Sequence, residues 1–317
     1  MKIVFMGTPD FAVASLDVLV KNGYDIVGVV TAPDKPAGRG QQLQQSAVKQ
    51  YAVAHNLNVL QPANLKDEFF LQQLRDLKAD LQVVVAFRML PEKVWNMPPL
   101  GTYNVHASLL PNYRGAAPIN WAIINGEKET GVTTFKLKHE IDTGSILLQK
   151  KVAIGPEMNA GQLHDELMKV GSELLLESVK KIESGNAELK EQSALLAAGQ
   201  EPKHAPKIFK PDCKIDWSRS GAQIHDLIRG LSPYPCAWTE LDAEEKKTSF
   251  KIYRATFSPQ LHNLNVGAVI SDGKKELKVA CSGGYIFIHE LQAEGKKKMA
   301  LQDFLRGFTF PENSHFK

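Results

Sequence analysis

The sequence predicts an α/β protein whose first half forms a mainly parallel sheet and whose last third forms a small β-barrel. Three observations carry this. Short β-branched runs alternate with helical patterns over the first 150 residues, the mark of βα units whose sheet is covered on both faces. A chain of 317 residues, at about 150 per domain, suggests two domains. Beyond residue 206, short alternating runs are separated by turn residues at close intervals, as in a small barrel.

Lys2 to Met6 reads as the first strand. Pro9 to Lys21 follows as a helix, with Phe11, Ser15, Leu16 and Leu19 near helical spacing. The Gly7-Thr8-Pro9 junction reads as a tight turn with Thr8 capping and Pro9 at the first helical position. It could also seat an anion on the helix N-terminus. Ile26 to Thr31 is a second strand. Ser46 to His55 and Asp67 to Lys78 are helices, then Leu81 to Ala86 and Thr102 to Ala107 are strands. A hairpin (Gly131 to Leu137, Ser145 to Val152) precedes a long amphipathic helix from Ala160 to Ser184. Asn186 to Pro206 lacks apolar periodicity and reads as a linker. Ala222 to Gly230 is a helix. Phe250 to Ala255, Val266 to Ser271, Glu276 to Ala280 and Tyr285 to Leu291 are barrel strands.

Composition is that of a globular protein: 43% hydrophobic, 23% charged, with no repeat or low-complexity segment. It excludes collagen, a disordered tail and a coiled coil. No apolar run approaches the roughly 20 residues of a membrane span. The apolar start is interrupted by Gly7, Pro9 and Asp10, well short of the about 7 to 15 residues of a secretory leader. Cys213, Cys236 and Cys281 lie far apart with no CxxC, which argues against a disulfide framework or a zinc site. A cytosolic protein is expected. Net charge is +3, but Glu201 to Lys317 holds 18 Lys and Arg against 14 Asp and Glu. That excess permits a polyanionic partner without requiring one.

Some motifs are weaker than they look. Gly38-Arg39-Gly40 lacks the third glycine of a dinucleotide loop, since Leu43 stands there. His139-Glu140 with Asp142 is not a zinc helix, and Lys296-Lys297-Lys298 reads as a solvated face.

The chemistry concentrates in Asn104-Val105-His106-Ala107-Ser108-Leu109-Leu110-Pro111. Period-two geometry places Asn104, His106 and Ser108 on one face of the strand. Polar groups in a buried strand either bond fully or line a cleft. Asp142, in a turn that the hairpin returns towards the sheet, can fix the tautomer of His106 and stabilise its cation. Asn104 and His106 then suit an oxyanion formed in acyl transfer. Ser108 lacks a nucleophile elbow, which favours direct transfer between two bound substrates.

These motifs run on through Tyr113-Arg114-Gly115-Ala116-Ala117-Pro118-Ile119. With Met6-Gly7-Thr8-Pro9-Asp10-Phe11-Ala12, Pro33-Asp34-Lys35-Pro36-Ala37-Gly38-Arg39-Gly40, Asp142-Thr143-Gly144, Ala205-Pro206-Lys207-Ile208 and Ile215-Asp216-Trp217, they cover nearly the whole chain. The sequence resembles the 10-formyltetrahydrofolate-dependent formyltransferase family. The resemblance implies a Rossmann-like formyltransferase domain over residues 1–189, a linker at 190–207 and an OB-like, tRNA-binding barrel over 208–317. It implies transfer of formyl from 10-formyltetrahydrofolate to the α-amine of methionine on initiator tRNA. The implied catalytic residues are Asn104, His106 and Asp142. The implied folate-binding residues are Ser108, Leu109, Leu110 and Pro111, and Arg39 is expected on tRNA. No metal and no membrane are implied, and a monomer is expected. Glu140 and Arg88 depart from the family pattern, which usually has glycine and a small residue there. A formyltransferase acting on a small amine, and a non-catalytic folate- or RNA-binding protein, are the alternatives.

Overall fold

A computed structural model describes residues 1–37, 42–196, 199, 201–242 and 248–317. From the amino terminus the elements are β1 (Lys2–Gly7), α1 (Asp10–Lys21), β2 (Asp25–Val30), β3 (Lys35–Ala37), β4 (Gln42–Gln44), α2 (Ala47–Ala54) and β5 (Val59–Leu60). They continue with α3 (Glu68–Asp76), β6 (Leu81–Val85), α4 (Glu92–Trp95), β7 (Thr102–His106), β8 (Arg114–Gly115), α5 (Pro118–Ile124), β9 (Glu129–Lys136) and β10 (Ile146–Ala153). Then come α6 (Ala160–Glu183), β11 (His204–Ala205), α7 (Gly221–Leu231), β12 (Ala237–Asp242), β13 (Thr248–Pro259) and β14 (Val269–Ser271). The last are β15 (Leu277–Cys281), β16 (Gly284–Ala293), β17 (Met299–Ala300), α8 (Leu301–Leu305) and β18 (His315–Phe316).

The chain divides into two units. The first comprises Met1–Ala116, Thr130–Val152 and His164–Ala205, and the second Ala117–Glu129, Ala153–Leu163 and Pro206–Lys317.

In the first unit the sheet order is β10-β9-β7-β6-β1-β2-β5. β1 pairs in parallel with β2 and β6, β2 with β5, and β6 with β7, while β9 runs antiparallel to β7. All five residues of β6 are buried, as a central strand covered on both faces requires. α1 buries Phe11, Ala12, Ser15, Leu16 and Leu19, and its terminal Asp10 and Lys21 complement the helix dipole. Its cap differs from the expected one. Pro9 is the N-cap residue and makes no side-chain bond, because proline supplies the dihedral but no acceptor side chain, so Thr8 does not cap the helix. Ser46 and Asp67 do cap α2 and α3, through Lys49 N–H (3.0 Å) and Phe70 N–H (3.3 Å).

Lys35–Ala37 is a strand in an antiparallel ribbon with Gln42–Gln44. Pro36 is tolerated there because a two-stranded ribbon has edges that need no donor. Asp34 anchors its base, with its carboxylate held below the usual range by the bond from Lys49 Nζ (2.5 Å) and then by Gln61 Nε2 (2.8 Å).

The second unit curls a sheet of order β14-β15-β16-β13-β12-β18, with β17 added to β16. Register shifts in β13 between Ile252 and Ala255 bend the strand. Val269 N–H bonds to Ser314 carbonyl (2.9 Å) and Phe316 N–H to Gly267 carbonyl (2.9 Å), so the two edges nearly meet. This is a nearly closed barrel of the OB-like kind. α7 carries a reciprocal capping box between Ser220 and Gln223 and lays Ile224, Ile228 and Leu231 into the barrel core.

Candidate functional site

β7 delivers Asn104 and His106 on one face, two residues apart at the carboxyl end of a parallel strand. His106 is 7% exposed, and Asn104 is half-buried. The Nε2 of His106 lies 2.9 Å from the Tyr113 carbonyl oxygen. A carbonyl only accepts, so Nε2 carries the proton and donates. Nδ1 then faces Oδ2 of Asp142 at 3.9 Å, an ion-pair separation rather than a hydrogen bond. Among the described residues, no hydrogen bond engages the side-chain amide of Asn104.

Asp142 lies in the segment joining β9 to β10 with φ of +54°, in the left-handed region that Asp tolerates better than most side chains. Its Oδ2 accepts the Gly115 N–H at 3.0 Å. Gly115 itself has φ of +122°, and a Cβ there would collide with the Ala205 carbonyl across the β8–β11 pairing. A Cβ on Gly144 would strike the Lys136 carbonyl, so both glycines permit close backbone approach. The structure thus brings Asp142, from the segment between β9 and β10, to His106, with Asn104 two residues before His106 on β7.

Ser108 does not continue the face of His106. The strand ends at His106, and the Ser108 hydroxyl turns to the Asn112 carbonyl at 2.7 Å. The reason is Thr133 on β9. Its hydroxyl donates to the Ser108 carbonyl (2.6 Å) and accepts from Leu110 N–H (3.1 Å), so a side chain replaces the ladder as the chain bends towards Pro111. Gln149 Nε2 adds bonds to the Leu110 carbonyl (2.8 Å) and to Thr133 Oγ1 (2.9 Å). Ser108, Leu110 and Pro111 are buried, Leu110 against Phe135 and Ile146, while Leu109 is partly exposed.

Sequence reasoning did not find Arg114 or Gln192. The side-chain oxygen of Gln192 accepts from Nε (3.0 Å) and Nη2 (2.6 Å) of Arg114. Its Nε2 donates to the carbonyls of Asp142 (2.7 Å) and Gly144 (2.9 Å). The neighbours of Gln192 join in. Lys190 exchanges two backbone bonds with Ile146, at 2.7 and 2.8 Å. Glu191 accepts from Ser145 Oγ (2.7 Å) and pairs with Lys138 Nζ, which with that bond holds its carboxyl below the usual range. Residues 190–192 are therefore stitched to the Asp142 turn by polar groups, which leave no apolar period in a sequence.

Of the two departures, Arg88 binds the carbonyls of Ala63 (2.9 Å) and Pro62, and burial lowers its pKa. Glu140 is exposed, and its carbonyl accepts from Thr143 Oγ1 at 3.0 Å. Arg39 lies outside the described residues. No group of three His, Cys, Asp or Glu side chains among the described residues could hold a metal ion. No described helix is long and apolar enough to cross a membrane.

A family model described as formyl transferase matches residues 1–179, and one described as formyl transferase, C-terminal domain, matches 207–309. The chain is 55% identical over 314 residues to a methionyl-tRNA formyltransferase of Flavobacterium johnsoniae, covering 99% of this chain and 98% of that protein. It is 53% identical over 313 residues to one of Bacteroides fragilis, covering 98% and 96%. Among solved structures it is similar to an N-formyltransferase from Helicobacter canadensis in complex with folinic acid and dTDP-3-aminofucose. There the TM-score is 0.67 at 21% identity, over 94% of this chain and 100% of that one. It is also similar to HypX from Aquifex aeolicus in complex with tetrahydrofolic acid, with a TM-score of 0.64 at 16% identity, over 100% of this chain and 51% of that one. At those identities the likeness is one of fold.

Proposed function

The chain belongs to the formyl transferase family, and from that premise we propose that it moves formyl from 10-formyltetrahydrofolate to the α-amine of methionine on initiator tRNA. The observation that carries this reading is identity of 53 to 55% to methionyl-tRNA formyltransferases over nearly the full length of both units.

The residues divide the work as follows. The neutral amine of methionine attacks the formyl carbon, a C–N bond forms, and the carbonyl oxygen becomes an oxyanion. Asn104, whose amide is unengaged among the described residues, donates to that oxygen. His106 spends Nε2–H on the Tyr113 carbonyl, so its cation carries the second proton on Nδ1. The 3.9 Å gap to Asp142 leaves that Nδ1–H free for the oxyanion, while the carboxylate supports the positive charge. Asp142 also helps pass the proton lost by the attacking nitrogen to N10 as the C–N10 bond breaks. Ser108 to Pro111, anchored by Thr133 and Gln149, shape the wall on which the folate rests, with Leu109 as the partly exposed member. Arg39 contacts the acceptor end of the tRNA, and the second unit holds the stem through phosphates. The protein works as a monomer in the cytoplasm, without a metal.

Formyl transfer from 10-formyltetrahydrofolate to charged initiator tRNA, charged elongator tRNA and an amino-sugar nucleotide tests the reading. Only the first is formylated efficiently, Arg39→Ala impairs it without changing folate affinity, and tRNA binding weakens as salt rises. Preference for the amino sugar, with tRNA binding indifferent to salt, would replace this reading with the small-amine one.

A further inference from the structure

We propose that Gln192 is a positioning residue for formyl transfer: its amide, clamped by Arg114, holds the Asp142 turn in the conformation that faces His106. The inference rests on the function proposed above. A primary amide offers one oxygen with two lone pairs and two N–H donors. In Gln192 all four are used. The oxygen takes both bonds from Arg114, and the N–H donors go to the carbonyls of Asp142 and Gly144. The residue is 2% exposed, so water offers no substitute for any of them.

The placement gives this amide leverage over both nitrogens of His106. Arg114 lies between Tyr113, whose carbonyl accepts from Nε2, and Gly115, whose N–H binds Asp142 Oδ2. Asp142, at φ of +54°, presents that same Oδ2 to Nδ1. Gln192 therefore ties the segment that sets one side of the imidazole to the turn that sets the other. A non-glycine residue keeps a left-handed conformation only when its surroundings over-determine it, and two carbonyls converging on one NH₂ group do so. Loss of the amide frees the turn, and Asp142 can then rotate away from His106 without any change in the residues that bind substrate.

The test uses Gln192→Ala and Gln192→Glu in the full chain, with thermal unfolding recorded for each. Gln192→Glu keeps the acceptor for Arg114 but places an oxygen where the turn needs a donor, so it isolates the tie to Asp142 in a side chain still paired with Arg114. The first readout needs no substrate. Amide hydrogen exchange at Gly115 speeds up by about tenfold or more in both variants, because Asp142 Oδ2 no longer stays in place. The second is kinetic. kcat for charged initiator tRNA falls by about ten- to a hundredfold, the scale of an ångström-sized misplacement, while KM for both substrates stays within about twofold. In an Asp142→Asn background, adding Gln192→Ala lowers kcat by less than about threefold, since the two act through one group. Unchanged Gly115 exchange in a folded variant overturns the proposal, as does a full additive loss in the double variant or a loss confined to KM. If the parent protein itself transferred no formyl to charged tRNA, the proposed function would fail, and Gly115 exchange alone would decide the tie.

Discussion

Around Phe250 in the second unit, Phe304, Phe308, Phe310 and Phe316 gather with ring centroids between 5.6 and 6.1 Å from its own. Around Asp142 in the first unit, the neighbours are instead two glycines, an amide, a guanidinium and a row of backbone carbonyls. Apolar contact tolerates small shifts, because it is non-directional and scales with area. The polar turn does not, because each of its bonds has a required distance and angle. The molecule thus keeps stability in one region and geometry in the other. The barrel core resists unfolding, and the Asp142 turn holds one side chain within reach of another.

The largest effect that sharpens this contrast is expected from Phe250→Ala. Phe250 is fully buried, and its removal should cost about 3 to 5 kcal/mol through lost transfer energy and a cavity. Denaturant unfolding measures that loss, and folate affinity should be unchanged. A loss below about 1 kcal/mol would mean that the core repacks freely and that the contrast is false.

Next is Asp142→Asn, which keeps the shape and removes the charge. Turnover with charged initiator tRNA should fall by about a hundredfold, the low end of what positioned proton-transfer groups contribute, with the melting temperature nearly unchanged. Equal loss of stability and activity would make the turn structural.

The smallest effect belongs to a polar turn in the second unit, between β14 and β15. Oδ1 of Asp272 accepts from the N–H groups of Glu276 (2.8 Å), Lys275 (2.8 Å) and Lys274 (2.9 Å), and these push its carboxyl down to about 2. A depressed carboxyl stabilises the fold above its unfolded value of 3.8, and that contribution is lost as pH falls through about 2. Asp272→Asn should therefore flatten slightly the decline in stability between about pH 4 and pH 2, read from melting temperatures. An identical decline in both proteins would remove Asp272 from the account.

The contrast also explains what could be read from the residues alone. β1, β2, β6 and β7 announce themselves as β-branched runs, and α1 shows its buried stripe of Phe11, Ser15, Leu16 and Leu19, since burial imposes a period. Asn104 and His106 stand out because polar residues break such a run. Ser108 misled, because period-two reasoning assumes a strand that in fact stops at His106, where Thr133 takes over the backbone bonds. The β8–β11 pair and Gln192 left no trace. Two-residue strands, and a single amide joined to carbonyls 48 and 50 positions away, satisfy backbone groups without any apolar pattern.

In the proposed mechanism Asn104 stabilises charge that develops only during transfer. Single-turnover formyl transfer to charged initiator tRNA, at saturating 10-formyltetrahydrofolate, compares Asn104→Ala with its parent most directly. The rate of the variant should be lower by about a hundred- to a thousandfold, with the affinities for folate and tRNA unchanged. A folded Asn104→Ala that transfers formyl within about threefold of the parent rate would contradict that mechanism.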